Sequence, residues 1–144
     1  MRKLKLPNEP AVALDAADLE LIEAARAVMR QHHRPFWHTV AAALRDADGR
    51  IWTGLHLGTT VGRLSICAEP VALGRAILGG SGRVVTAVAV RYPKPEEEAQ
   101  EIAAVAPCGA CRELLVDHAP ECWVIVPGGV KLPISALLPL PYQR

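Results

Sequence analysis

The sequence predicts an α/β fold in which a mixed sheet carries helices on its faces. A β-hairpin is indicated around residue 48, and the apolar pattern then gives a helix, a strand, a second helix and a second strand up to residue 126. Strands connected through helices build a sheet with helices packed against it. The chain has 144 residues, of which 51% are hydrophobic, so we expect one domain over residues 1–144 with a substantial core.

The first predicted helix begins near Asp15 or Asp18, either of which is a suitable N-cap, and it ends before Pro35. Its apolar residues recur roughly at helical spacing, at Leu19, Ile22, Ala25, Ala27 and Met29. The preceding residues 1–14 are expected to form a flexible segment. They include basic side chains but no apolar run long enough for a signal peptide.

The hairpin is predicted from two apolar runs, residues 38–44 and 50–57, that flank a turn at residues 46–49. The turn contains the pair Asp48-Gly49, which is a strong hairpin signal between apolar runs. Alanine is a poor strand former, so the alanine-rich first run is the weaker strand of the two.

The second half of the chain alternates helices and strands. A buried helix is predicted from Ala68 to the pair Gly79-Gly80, and its apolar positions are Val71, Leu73, Ala76, Ile77 and Leu78. A valine-rich interior strand follows at residues 83–90, then a solvated loop at residues 92–100 that contains three consecutive glutamates. We expect another helix over residues 109–119, a strand over residues 123–126, and a C-terminal segment, residues 134–138, that docks on the core.

The charge balance disfavours nucleic acid as a partner, because the chain has sixteen basic and fifteen acidic residues and no evident basic stripe. No apolar stretch is long enough for a membrane span. Four cysteines without an export signal indicate reduced thiols or a metal rather than disulfides. We therefore expect a cytoplasmic protein without a nucleic-acid or membrane partner.

Two cysteine motifs predict a metal site. One is Cys67-Ala68-Glu69, and the other is the segment Pro-Cys-Gly-Ala-Cys at residues 107–111, which contains Cys108 and Cys111. Each motif lies where a helix is predicted to begin, and a helix N-terminus stabilises the thiolate form that binds metal. A zinc site with three protein ligands keeps a position open for water, whereas one with four is usually structural. We expect one zinc ion per chain, bound by these cysteines.

Glu69 and Arg112 are the candidate residues beside the metal. Glu69 can take a proton from the water and pass it to a substrate. Three thiolates and Zn²⁺ carry a net charge of −1, and Arg112 can offset it by donating hydrogen bonds to the sulfurs.

Other interpretations of these residues remain open. Cys108 and Cys111 can form a redox pair, or all the cysteines can build a structural zinc site together with Cys122. Glu69 can be an ordinary residue of a helix first turn, and Arg112 can have only a surface role or one at the helix dipole.

The motifs resemble the small Cys₃ branch of the cytidine deaminase superfamily. The first hairpin and the segment Leu137-Leu138-Pro139 extend the resemblance over residues 40–139. It implies a three-layer α/β/α sandwich with a five-stranded mixed sheet, and a homotetramer. It also implies that Cys67, Cys108 and Cys111 bind zinc, with Glu69 as the proton shuttle. The backbone of Ala68 would contact the pyrimidine.

The substrate pocket departs from the family pattern. Cytidine deaminases hold the ribose with the Asn and Glu of a G-x-N-x-E motif, where this chain has His56 and Gly58. His38 stands at the aromatic position before the first strand, and Pro70 replaces an Arg that supports the thiolates. His38 and His56 are therefore candidate substrate-binding residues. We expect free volume at Gly58 that admits a bulkier substituent. Blasticidin-S deaminases also lack the Arg at the position of Pro70, and they also depart from the Asn and Glu pair.

The function predicted first is hydrolytic deamination of a cytosine-like nucleoside or base, with release of ammonia. The alternative enzyme acts on another small aminoheterocycle, such as a nucleoside antibiotic of the blasticidin-S type. A zinc-stabilised binding protein is the alternative outside catalysis, and the presence of Glu69 argues against it. Editing of nucleic acid is disfavoured by the near-zero net charge.

Overall fold

One mixed sheet of seven strands organises the computed structural model, which describes residues 11–144. The strands are β1 (Val12–Ala13), β2 (Val40–Asp46), β3 (Ile51–Leu55), β4 (Val84–Arg91), β5 (Ala103–Val105), β6 (Trp123–Val126) and β7 (Val130–Pro133). They lie in the order β1-β7-β6-β4-β2-β3. Strand β5 pairs with the C-terminal end of β4, along the same edge of β4 that pairs with β6. The β4–β6 pair is parallel and the other pairs are antiparallel.

The helices cover both faces of the sheet, which confirms the three-layer α/β/α class. They are α1 (Ala16–His32), α2 (Ala68–Leu78), α3 (Gly109–His118) and the short α4 (Ile134–Leu137). Buried side chains of α1 pack with one face of β2, β4 and β6, while those of α2, α3 and α4 pack with the other. The sheet has seven strands and not the five expected, because the two-residue β1 and the three-residue β5 add short strands to it.

Strand β2 shows why alanines form a strand here in spite of their low strand propensity. Ala41 and Ala43 belong to the α1 side of the core, whereas Ala42 and Leu44 belong to the α2 side, and all four are fully buried. The small side chains let the helices on both faces approach the sheet closely. Burial on both faces therefore outweighs the intrinsic preference.

Helix α1 begins at Asp15, whose side chain accepts a hydrogen bond from the backbone N–H of Asp18 in a capping box. The prediction of Leu19 and Ala27 as members of the apolar face is wrong, since both are exposed and Leu21 is buried instead. Asp18 is also buried, and its carboxylate pairs with Lys131 at 2.7 Å. Asp18 lies on the same buried face of α1 as Leu21 and Ile22, and this face leaves Leu19 towards solvent.

The N-terminal segment is partly ordered. Val12 and Ala13 pair with Lys131 and Val130 of β7, so the expected flexibility of residues 1–14 does not hold for this strand. The rest of that expectation, for residues 1–10, lies outside the described residues.

Helix α2 ends before Gly79, as predicted, but its last residues are not buried. Ile77 and Leu78 are 58% and 91% exposed, because they lie away from the face of α2 that buries Ala72, Leu73 and Ala76. Residues 92–100 contain no helix or strand, as predicted, and Glu97 of this loop pairs with Arg91 at 2.8 Å. No helix within the described residues has the length and apolar character to cross a membrane.

Candidate active site

Two helix N-termini meet at the cysteine motifs. Cys67 is the N-cap residue of α2 and Cys108 is the N-cap residue of α3, both with extended backbone, and Cys111 lies in the first turn of α3. The three sulfurs lie within 4.8 Å of one another. The sulfurs of Cys67 and Cys108 are 3.5 Å apart. The sequence prediction that both motifs open helices and converge on one point is therefore confirmed.

The three sulfurs fit a zinc ion. A tetrahedral ion with Zn–S bonds of about 2.3 Å places its sulfur ligands roughly 3.8 Å apart, close to the separations seen here. An all-sulfur donor set also favours zinc over harder metals. Cys122 is not part of the cluster, since it is fully buried in the core and its thiol donates to the Trp123 carbonyl at 3.3 Å. The alternative of a four-cysteine structural site is therefore not supported.

Burial and neighbouring groups shift the pKa values of the thiols in the cluster. Burial raises the pKa of the Cys67 and Cys111 thiols, and the charge of Glu69 raises that of Cys111 further. Burial also works to raise the pKa of Cys108, but hydrogen bonds from the Cys111 backbone N–H and the Cys67 thiol leave it below its ordinary value. Cys108 is therefore the thiol that the protein itself shifts towards the thiolate, and a bound divalent cation would favour the thiolate form of all three.

Glu69 lies beside the sulfurs, in the first turn of α2. Its side chain is buried, and Oε2 accepts a hydrogen bond from the Cys111 thiol at 3.4 Å. Burial raises the pKa of this carboxyl group above its ordinary value. A buried carboxyl with a raised pKa is suited to exchanging a proton near neutral pH.

Gly54 explains how β3 positions this first turn. A Cβ at residue 54 would lie 2.3 Å from the Ala72 nitrogen and 2.5 Å from the Ala68 carbonyl oxygen. Only glycine therefore lets the strand approach the helix backbone so closely. The contact fixes the segment that holds Cys67 and Glu69.

A model of the cytidine and deoxycytidylate deaminase zinc-binding region matches residues 15–126. The chain belongs to this deaminase family. It is 40% identical to the blasticidin-S deaminase of Bacillus cereus over 130 residues, which are 88% of this chain and 93% of that protein.

Solved structures of family members share the fold. The cytidine deaminase of Mycobacterium leprae superposes with a TM-score of 0.73 at 30% identity, over 87% of this chain and 99% of that one. The cytidine deaminase of Mycobacterium tuberculosis gives a TM-score of 0.76 over 90% and 100% of the two chains, and at 24% identity it supports the fold alone. Members of this deaminase family are zinc-dependent hydrolases, so the cysteine cluster is compatible with one zinc ion per chain.

Arg112 does not support the thiolates as predicted. Its guanidinium donates to the Pro107 carbonyl at 2.9 Å and to the Leu137 carbonyl at 3.1 Å. It therefore joins the start of α3 to α4, and within the described residues its hydrogen bonds go to oxygen rather than to sulfur. The surface role that the sequence left open is also wrong, because the side chain is partly buried in these contacts.

The candidate substrate-binding histidines lie side by side. His38 Nδ1 donates to the His56 carbonyl at 2.8 Å, while the Nδ1 of His56 accepts from the Thr39 backbone N–H at 3.2 Å. Burial, followed by the charge of His38, lowers the pKa of His56. His56 is therefore a neutral imidazole whose Nε2–H remains available as a donor. Ala68, the third candidate, is fully buried as the first residue of α2.

The expectation of free volume at Gly58 is wrong. A Cβ there would lie 2.3 Å from the Phe36 carbonyl oxygen and 3.1 Å from the Trp37 Cα. The Gly58 backbone N–H also donates to the Trp37 carbonyl at 2.8 Å. The backbone of the segment before β2 thus fills the space that a side chain at residue 58 would need. Sequence analysis missed this contact because the composition of that segment gives no signal for it.

We expect Gly58→Ala to destabilise the protein by about 1–3 kcal/mol, because the added methyl group forces two packed backbone segments apart. Thermal or urea unfolding measures the effect. Gly74→Ala is the matched control, since nothing lies within 4 Å of a Cβ there, and alanine is expected to be neutral or stabilising in α2. Equal stability of Gly58→Ala and wild type would contradict the observed packing.

Proposed function

We propose that this protein hydrolyses the amino group from a cytosine-like ring of a nucleoside or free base, releasing ammonia. The proposal rests on one observation, the convergence of three cysteine sulfurs with the buried carboxyl of Glu69 at the N-termini of α2 and α3. Cys67, Cys108 and Cys111 are the proposed zinc ligands. A bound zinc ion supplies Lewis-acid activation of the attacking water.

Glu69 is the proposed proton carrier. The oxygen of water adds to the ring carbon that carries the amino group, and Glu69 takes the proton that the water loses. Glu69 returns this proton to the ring nitrogen. It then takes the proton of the hydroxyl group now on that carbon and gives it to the amino group, so that the C–N bond breaks, ammonia leaves and the oxygen becomes a carbonyl. Its position beside Cys111 and its raised pKa support this role, because the carboxyl group must both accept and donate.

Ala68 and His56 are proposed to contact the substrate, and His38 to support His56. The backbone of Ala68 lies next to Glu69 at the buried helix start, where it can contact the ring. His56 offers its Nε2–H to a hydroxyl group of the substrate, and His38 holds the His56 backbone through its hydrogen bond to the carbonyl oxygen.

Ammonia release from a panel of substrates tests the function. Cytidine, 2′-deoxycytidine, cytosine and blasticidin S are compared by kcat/KM with zinc-loaded protein. Turnover of at least one of these compounds is expected. Ammonia release from none of them would refute the proposal in favour of a zinc-stabilised binding protein.

A nucleoside antibiotic of the blasticidin-S type is the second candidate substrate. Two observations favour it, the 40% identity to a blasticidin-S deaminase and the absence of a carboxylate at Gly58, where the packed Phe36 backbone leaves no room for one. Since a buried carboxylate gives strong discrimination for a ribose hydroxyl, its absence should leave cytidine a poor substrate. Efficient use of cytidine, with a cost of several kcal/mol on loss of its 3′-hydroxyl, would contradict this assignment.

We also propose a homotetramer. Leu57, Leu64 and Ile66 are 42%, 60% and 42% exposed on the segment that leads into Cys67, and apolar side chains in such a cluster favour an interface. Light scattering at micromolar concentration is expected to give the mass of four chains. A monomeric mass would contradict the proposal.

A cytoplasmic location is proposed as well. Cys67, Cys108, Cys111 and Cys122 are all free thiols in the structure, and a reducing compartment keeps them available for metal.

A further inference from the structure

Arg112 holds the two carbonyl groups on either side of the Cys108 α-carbon. Its side-chain Nε–H donates to the carbonyl oxygen of Pro107 at 2.9 Å, and its backbone N–H donates to the carbonyl oxygen of Cys108 at 3.0 Å. These carbonyls belong to the peptide groups that precede and follow the α-carbon of Cys108. Since peptide groups are planar, their orientations set the φ and ψ of Cys108 and thus the direction of its side chain.

The Cys108 side chain depends on such hydrogen bonds more than its partners in the cluster do. Cys108 is exposed, whereas Cys111 is buried and Cys67 is half-buried. Close packing therefore restrains Cys111, while Cys108 has fewer neighbours to hold it. Within residues 11–144 no backbone N–H bonds the Pro107 carbonyl, so the Arg112 side chain is the donor that fixes this peptide group.

The same guanidinium reaches the C-terminal helix α4. Its Nη1 donates to the carbonyl oxygen of Leu137 at 3.1 Å. Leu137 is the last residue of α4, where carbonyl groups have no partner inside the helix. The side chains of Ile134 and Leu137 are buried in the core, so α4 is firmly docked. Arg112 therefore joins the backbone of a proposed metal ligand to a fixed point in the C-terminal segment.

Neither an ion pair nor the helix dipole accounts for an arginine at residue 112. No carboxylate in the described part of the chain forms an ion pair with it. A cation near the N-terminus of α3 is opposed by the helix dipole, which favours anions there. The two carbonyls do account for it, because a planar guanidinium presents several N–H groups in a fixed fork and a lysine has only one nitrogen.

We propose that Arg112 is a positioning residue that holds Cys108 in place for the metal and makes zinc retention depend on the docking of α4. The inference rests on the proposed function, in which Cys67, Cys108 and Cys111 bind zinc. Arg112 bonds oxygen atoms, so it acts through the backbone of Cys108 and not as a ligand. Outer groups that orient metal ligands typically change metal affinity by about 10–100-fold.

Zinc dissociation constants, measured by competition with a chelator, test the proposal. Arg112→Gln removes the guanidinium and is expected to bind zinc at least about tenfold more weakly than wild type. Arg112→Lys keeps the charge but not the fork, so its affinity should lie between the two. A purely structural role would lower the unfolding temperature without changing the affinity of the folded protein. Circular dichroism checks folding, and Arg112→Lys decides alone if Arg112→Gln does not fold.

Arg26→Gln is the matched control. Arg26 is also a partly buried arginine whose Nε–H donates to a backbone carbonyl, that of Ile102, at 2.8 Å. It belongs to α1, which packs on the other face of the sheet from the cysteine cluster. The zinc affinity of this variant should stay within about twofold of wild type.

The connection to α4 is tested separately. Leu137→Ala removes most of the side chain that docks the end of α4, so it should also weaken zinc binding. Ile22→Ala, at a similarly buried position in α1, should leave the affinity unchanged. If Arg112 and α4 act through one connection, Arg112→Gln combined with Leu137→Ala should bind zinc about as weakly as the weaker single variant. Effects that simply multiply would overturn the role of α4.

Wild-type affinity in Arg112→Gln would overturn the proposal. Wild-type affinity in Arg112→Lys would do the same, since charge without the fork would then be sufficient. If the wild type binds zinc but deaminates no cytosine compound, the proposed function fails, and the affinities of the Arg112 variants still decide this inference. Unchanged zinc affinity in Cys108→Ala would instead refute the ligand assignment on which both rest.

Discussion

Glu69→Gln is expected to lower deamination by at least about 10²-fold while the protein keeps one zinc ion per chain. Glutamine retains the size and can still accept a hydrogen bond from the Cys111 thiol, but it cannot take up and return a proton. Initial rates of ammonia release, measured beside elemental analysis of zinc, separate a loss of proton transfer from a loss of metal.

Glu121→Gln serves as the control. Glu121 is an exposed glutamate paired with Arg83, and it lies beyond the C-terminus of α3, whereas Cys108 and Cys111 lie at its N-terminus. Its activity should equal that of the wild type. Wild-type turnover by Glu69→Gln would remove Glu69 from the mechanism. A loss of zinc in that variant would instead assign Glu69 a role in holding the metal.

The positions of the metal-binding motifs could be predicted from sequence because the signals are local. Cys67 and Cys108 each precede an apolar helical pattern, so the two helix starts were recognisable without knowledge of the fold. The hairpin turn was equally clear from Asp48-Gly49, and Gly49 does adopt a φ of 84°. The convergence itself is not a local signal, and it was inferred from the ability of two helix starts to supply three sulfurs to one metal ion, together with the family resemblance.

Three of the failed predictions depend on packing between segments distant in sequence. The space for a side chain at residue 58 depends on the position of the Phe36 backbone. Arg112 donates a hydrogen bond to the carbonyl oxygen of Leu137 and not to the nearby sulfurs. Leu19 faces solvent because the buried face of α1 runs through Asp18, Leu21 and Ile22. The sequence identified Gly58 by its place in a family motif, Arg112 by its charge and Leu19 by its hydrophobicity, and packing against a remote segment decided the surroundings of each.

Cys108→Ala and Cys111→Ala are each expected to lose most of the bound zinc, and activity with it. Removing one sulfur leaves two protein ligands for an ion that is normally held by three or four. The variants should also unfold at a lower temperature than zinc-loaded wild type, because metal binding stabilises the folded state. Elemental analysis and thermal unfolding with and without a chelator measure both effects.

Cys122→Ala is the matched control for this prediction. Burial raises the pKa of Cys122 to about 12, so its thiol is neutral at pH 7, and its sulfur bonds the Trp123 carbonyl instead of joining the cluster. This variant should keep its zinc, with only the modest loss of stability that follows from a smaller core side chain. In wild type and Cys122→Ala, a chelator should lower the unfolding temperature, whereas in Cys111→Ala it should change little because the metal is already absent. Full zinc occupancy in Cys111→Ala would refute the assignment of the three sulfurs as the metal site.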